Sequence, residues 1–156
     1  MSWTIRPATV ADVPDLMVLR RAMFEAMGYA DAGALDEMCN ASAEYFERDL
    51  PTGAFRAWIA EVDRRPIASI GLVIHSVPPS PTRPQGTEAY VMNLVTLPPH
   101  RRQGIATALL DRVLETARAE GVPIASLHAT EAGRAVYERA GFRADEDLSE
   151  MRARLV

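Results

Sequence analysis

The 156-residue chain predicts a mixed α/β fold: a largely antiparallel central sheet with one parallel strand–helix–strand crossover. Three observations lead there. Residues 55–75 read as two alternating stretches joined by a tight turn, which is an antiparallel hairpin. Residues 105–121 carry a single apolar helical face between two strand-like runs, the pattern of a crossover. Proline and glycine mark the ends of other elements, at Pro51 and Gly53, in the loop 76–87, and at Gly121 and Gly141.

The elements follow in order. "WTIRPAT" is a short first strand. In "VADVPDLMVLRRAMFEAMG", Val13, Leu16, Met17, Leu19, Met23 and Phe24 recur at helical spacing until Gly28, and Pro14 fits only in the first turn. A second helix spans residues 34–50, with Pro51 and Gly53 ending it. "FRAWIAEV" and "DRRPIASIGLVIH" form the hairpin around residues 63–65. "SVPPSPTRPQGT", residues 76–87, is a proline-rich loop, and "EAYVMNLVTL" is a third long strand whose one irregularity is Asn93 within an apolar run. Ile105, Leu109, Leu110, Val113, Leu114 and Ala117 then make a helix face that Gly121 closes. "VPIASLHAT" is a strand, "EAGRAVYERAG" a short helix, and "FRA" and "EMRARLV" terminal strands.

With 48% hydrophobic and 24% charged residues, one domain over residues 1–156 can bury a core. No apolar run approaches the roughly 18 residues of a membrane span, and the start lacks a basic then apolar leader, so a cytoplasmic protein without membrane partners is expected. A formal charge of −4 argues against nucleic-acid binding. Cys39 is the single cysteine, and His75, His100 and His128 lack zinc-motif spacing, so no metal is expected.

The most informative stretch is "LPPHRRQGIATALL". A helix N-terminus leaves about four amides unpaired and favours negative charge, yet Arg101 and Arg102 stand before this one and no acid follows in its first turn. Gly104 and Ala106 keep the backbone approachable. A bound phosphate would satisfy both the amides and the arginines. Neither the G-x-x-x-x-G-K-[ST] nor the G-x-G-x-x-G phosphate loop is present.

The run from Arg101 to Ala106 matches the R/Q-x-x-G-x-G/A signature of the Gcn5-related N-acetyltransferase family, after a strand and at the head of a long amphipathic helix. "TEAGRAVYERAGF" resembles that family's second element. The resemblance implies the acyl-CoA N-acyltransferase fold and acetyl-CoA as acyl donor. It implies that the backbone of Leu94, Val95 and Thr96 pairs with the pantetheine arm. The pyrophosphate would be held around Arg101, Arg102, Gln103, Gly104, Ile105, Ala106 and Thr107.

Acetyl transfer to an amine needs a neutral amine, oxyanion stabilisation and a proton for the departing thiolate. The resemblance implies Tyr137 as general acid, and a phenol stays protonated at neutral pH. The oxyanion donor would be a strand amide near Leu94 or Val95. Glu88 is the candidate base, with Tyr90, His75 or water as alternatives, while His128 reads as a core or backbone contact and Cys39 as core. Where many relatives have a cofactor-touching Asn, this chain has Thr130, whose hydroxyl either substitutes for it or caps the short helix.

The acceptor half lies in residues 24–54 and the loop 76–87. Asp31, Asp36, Glu37, Glu44, Glu47 and Asp49 against one arginine suit a small cationic amine, or else form a solvated helix face. Protein acetylation and non-catalytic acyl-CoA binding are the alternatives. A homodimer through the last strand is open, since the arginines of "EMRARLV" could also protect that edge.

Overall fold

The computed structural model describes residues 2–146 and 148–156. Its elements are β1 (Thr4–Pro7), α1 (Val13–Ala26), α2 (Ala32–Asp49), β2 (Arg56–Val62), β3 (Arg65–Ser76), β4 (Thr87–Thr96), α3 (Ile105–Ala119), β5 (Ala125–Ser126) and α4 (Arg134–Arg139). The strands lie in chain order, antiparallel from β1 to β4 and parallel between β4 and β5. Local chemistry accounts for the boundaries. Asp63 and Arg64 turn the β2–β3 hairpin with φ of 48° and 64°, the left-handed pair of a two-residue turn that follows strand twist. The Asp31 side chain accepts the Ala34 amide at 3.1 Å and starts α2. Asp12, 7% exposed, accepts the Thr9 amide at 2.7 Å and two bonds from Arg6 at 2.9 and 2.8 Å, which fixes the entry to α1.

Each sheet face buries its own cluster. Leu109, Leu110 and Val113 of α3 pack with Ile70, Leu72 and Val91 on one face. On the other, Leu16 of α1 and Phe46 of α2 pack with Phe55 and Ile59, and the Phe46 and Phe55 rings stack 4.4 Å apart. The sheet is therefore a floor with α3 beneath it and α1 and α2 above.

The end of the chain differs from expectation. The strand expected over residues 122–130 contracts to Ala125–Ser126, and residues 142–144 and 150–156 form no strand. The alternation in "EMRARLV" has no core to serve, because Met151 and Leu155 are 92% and 91% exposed. Arg143 instead donates to the carbonyls of Glu138 and Phe142, turning the chain after α4. No helix among the described residues is long and apolar enough to cross a membrane.

Candidate active site

The irregular Asn93 of the sequence is a bulge. Ser69 pairs with Val95 and Gly71 with Met92, so Ile70 of β3 faces both Asn93 and Leu94. Asn93 takes φ = 57°, a conformation that asparagine tolerates better than most residues. Its Oδ1 accepts a hydrogen bond from Arg20 Nη1, and Arg20 Nε donates to Ser42 Oγ at 3.0 Å, so α1 and α2 brace the bulge.

At this point β4 also loses its neighbour. It pairs with β5 at Ala89–Ala125 and Tyr90–Ser126, and from Val91 onward no strand among the described residues lies beside its second edge. Leu94, Val95 and Thr96 lie on that open edge, where an extended ligand can take the place of a strand. Thr96 Oγ1 is buried without a hydrogen-bond partner, the one such side-chain atom among the described residues.

The open edge runs into the arginine loop. Arg102 takes φ = 60° and Gly104 φ = 80°, which turns the backbone into the head of α3. The first helical bond is Ala108 N to Gly104 O at 3.0 Å, and no acceptor among the described residues takes the amides of residues 102–107. A Cβ on Gly104 would meet nothing within 4 Å, so the loop faces open space, and the first turn of α3 has no acid. Backbone donors at the positive end of a helix dipole are thus left open, the chemistry that suits a phosphate. The two arginines divide the work. Arg101 folds back, its Nε donating to Thr96 O at 3.0 Å, and ties the loop to β4. Arg102 is exposed beside the unpaired amides, with no partner among the described residues.

Tyr137 stands on α4, half-buried, its ring against Gly133 and edge-on to Phe142 with centroids 6.1 Å apart. It borders the same apolar cluster as Leu94. Burial raises its pKa above the ordinary tyrosine value, which keeps the phenol protonated. The hydroxyl makes no hydrogen bond among the described residues and is not sealed from solvent. Thr130 Oγ1 accepts the Gly133 amide at 3.2 Å, so its lone pair caps the approach to α4, and its O–H remains free to donate.

Glu88 is held at both oxygens: Ser126 Oγ donates to Oε1 at 2.6 Å and Arg83 Nη1 to Oε2. The Ser126 bond, and then the Arg83 bond, lower its pKa, which makes it a poor proton acceptor. His75 sits opposite it on β3. Tyr90 belongs to a separate network: its hydroxyl lies 2.5 Å from His128 Nδ1, while His128 Nε2 lies 2.5 Å from Glu150 Oε2. Glu150 also accepts from Arg152 at 2.6 Å, and this bond first, with His128 contributing, lowers its pKa. Sequence reading treats His128 as packing because nothing in the one-dimensional pattern announces that the tail brings Glu150 back to it.

The acids of α2 are partly committed. Asp31 caps the helix, Asp36 pairs with Arg21 at 2.6 Å and Asp49 with Arg48 at 2.7 Å. Cys39 is a free, half-buried thiol. No group of three or more His, Cys, Asp and Glu residues able to hold a metal occurs among the described residues.

A bulged strand with an open edge thus leads into a helix end whose amides are unpaired. The model of the acetyltransferase (GNAT) family matches residues 20–142, and this chain belongs to that family, whose members are N-acetyltransferases. A Gcn5-related N-acetyltransferase from Ralstonia eutropha JMP134 is 32% identical, with 96% of this chain and 98% of that one covered and a TM-score of 0.86. An acetyltransferase from Clostridium acetobutylicum, solved with acetyl-CoA, is 28% identical over 97% and 96% of the two chains, also at 0.86. Glucosamine-6-phosphate N-acetyltransferase from Arabidopsis thaliana shares the fold at 12% identity, with a TM-score of 0.72 over 100% of both chains. No curated protein matches the sequence significantly.

Proposed function

We propose that this chain moves the acetyl group of acetyl-CoA directly to the primary amine of a small molecule. The observation that carries the reading is the continuity of the open β4 edge with the unpaired amides of residues 102–107. The edge suits the amides of a pantetheine arm, and the unpaired amides with Arg102 suit a pyrophosphate. The Clostridium relative, similar over nearly all of its length, was solved with acetyl-CoA. Bound there, acetyl-CoA supplies an electrophilic thioester carbonyl.

The chain's own groups then do the rest. An amide near Leu94 or Val95, held by the bulge, donates to the thioester oxygen as it gains charge. The amine nitrogen bonds to the acetyl carbon as the carbon–sulfur bond breaks, and Tyr137 gives its proton to the departing sulfur. The proton lost by the amine passes to Tyr90 as Tyr90 passes its own to His128 Nδ1, and the Glu150 carboxylate steadies the resulting imidazolium. We carry forward the amine but not additional positive groups on the acceptor, because Asp31, Asp36 and Asp49 are already engaged.

Calorimetric titration with acetyl-CoA and with desulfo-CoA tests the reading, beside the Gly104→Glu variant. The wild type should bind both, and the substitution should weaken both at least about tenfold by placing a carboxylate against the phosphate site at a left-handed position. Absence of wild-type binding would sink it.

A further inference from the structure

Arg20 is out of keeping with the other half-buried arginines. Arg6, Arg21, Arg56 and Arg83 each meet a carboxylate. Arg20 meets none among the described residues, and its hydrogen bonds go to the neutral Ser42 and Asn93. Its guanidinium lies over the Phe24 ring, 5.0 Å from the centroid. The titratable groups that act on it are the Cys39 thiol and the Tyr45 phenol, and neither is a carboxylate. Burial accordingly lowers its pKa, the sign of a cation that has lost water without gaining an anion.

The remaining N–H groups of Arg20, those of Nη2 included, have no protein acceptor among the described residues. Nη2 is not sealed, since Thr96 Oγ1 is the one buried, unpaired side-chain polar atom among the described residues. Arg20 lines a cavity of about 10 Å³ with Ser69, Gly71 and Asn93, on the α1–α2 face of the sheet. That is room for roughly one water, so an anion would be met at its mouth. The location matters as much as the charge. Arg20 touches Asn93, one residue before Leu94, whose backbone borders the reacting carbonyl in the reading above.

We infer that Arg20 binds an anionic oxygen group, a carboxylate or phosphate, carried by the acceptor itself. The acceptor is then a small amine with its negative group close by. One to two residues of strand separate the Asn93 side chain from the acetyl position, so amine and anion lie roughly 3–7 Å apart. A guanidinium with unused parallel donors recognises either group. This inference rests on the acetyltransferase reading and narrows its substrate.

The experiment measures CoA release with paired amines: glycine, β-alanine and 4-aminobutyrate against their amides, phosphoethanolamine against ethanolamine, and spermidine as a purely cationic acceptor. At least one anionic amine should exceed its neutral partner by about tenfold or more in kcat/KM, which is the range of a charge-assisted bond. The carboxylate and phosphate arms say which anion is taken. Arg20→Gln should bring the ratio close to one, and Arg20→Lys should restore part of it, with the thermal midpoint and acetyl-CoA affinity recorded for each variant to separate misfolding from lost recognition. Preference for spermidine or for the neutral partners overturns the inference, as does a ratio that survives in Arg20→Gln. Failure to turn over any anionic amine by protein that binds acetyl-CoA also overturns it. Failure to bind acetyl-CoA at all overturns the acetyltransferase reading instead.

Discussion

Replacing Tyr137 by phenylalanine removes one oxygen and nothing else, and the surroundings of that oxygen set the expected result. The hydroxyl makes no hydrogen bond among the described residues, so its loss leaves no donor or acceptor stranded. The ring keeps its edge contact with Phe142 and its place against Gly133. Stability should change by no more than about 0.5 kcal/mol, a shift in thermal midpoint of roughly 2 °C or less for a chain of this size. If the phenol protonates the departing thiolate, kcat should fall about 10²- to 10⁴-fold, while KM for acetyl-CoA stays near its wild-type value. The pH profile adds a second reading. An acid catalyst works below its pKa and fails above it, and burial raises this phenol's pKa. The wild-type alkaline limb should therefore lie above the ordinary tyrosine value of about 10, and the variant should lose that limb. Steady-state assays of CoA release with thermal denaturation of both proteins decide the matter. A kcat within about threefold of wild type would falsify the general-acid role, and a large loss of stability would show that the hydroxyl is structural.

Two further substitutions test the frame that holds the site. In Gly71→Ala the new Cβ would stand 2.8 and 2.9 Å from Phe55 ring atoms, and that ring is stacked on Phe46, so stability should fall by about 1–3 kcal/mol in urea unfolding; the loss should shrink in a Phe55→Leu background, and an undiminished loss there would place the strain elsewhere. Asp12→Asn should cost ~1–2 kcal/mol at neutral pH. The Arg6 bonds chiefly hold the Asp12 carboxyl below its ordinary range, so its stabilisation is present above the unfolded value of about 3.9 and is lost as pH falls through the lower folded value. The variant should show a shallower acid limb in unfolding monitored between pH 5 and 2, and an unchanged slope would refute the linkage.

What the sequence made legible follows from the range of the forces involved. The apolar face of α3, the tight turn of the β2–β3 hairpin and the glycine at the head of α3 are local, and each declares itself within a few residues. Asn93 was visible as an anomaly, but its role as a bulge depends on the register of β3 against β4, which is a property of two strands. The separate tasks of Arg101 and Arg102 depend on which one can reach Thr96 O, and residue type does not encode that. The Tyr90–His128–Glu150 chain depends on the return of the tail, and Arg20 is conspicuous only against the ion pairs of the other half-buried arginines. The terminal strands failed because alternation alone was read as burial, and the exposed Met151 and Leu155 show that no opposing surface was there to receive them.

Asn93 connects the two halves of the proposed site. The left-handed turn at this residue is what shifts Leu94 and Val95 out of register with β3, and the side chain of the same residue is what Arg20 holds. An anion drawing on the free donors of Arg20 would pull on the group that braces the bulge, and the amide offered to the thioester oxygen lies one or two residues beyond. Acceptor recognition and oxyanion stabilisation therefore share a mechanical element. On this geometry an Arg20 variant should lose kcat as well as acceptor affinity, because the bulge it leaves behind is less firmly held, whereas a residue that only binds the acceptor would raise KM alone. Separating kcat from KM in Arg20→Gln, with Arg20→Lys as the variant that keeps the charge but not the two-pronged hold on Ser42 and Asn93, distinguishes the two roles. A pure KM effect would mean that Asn93 keeps its conformation without help from α1.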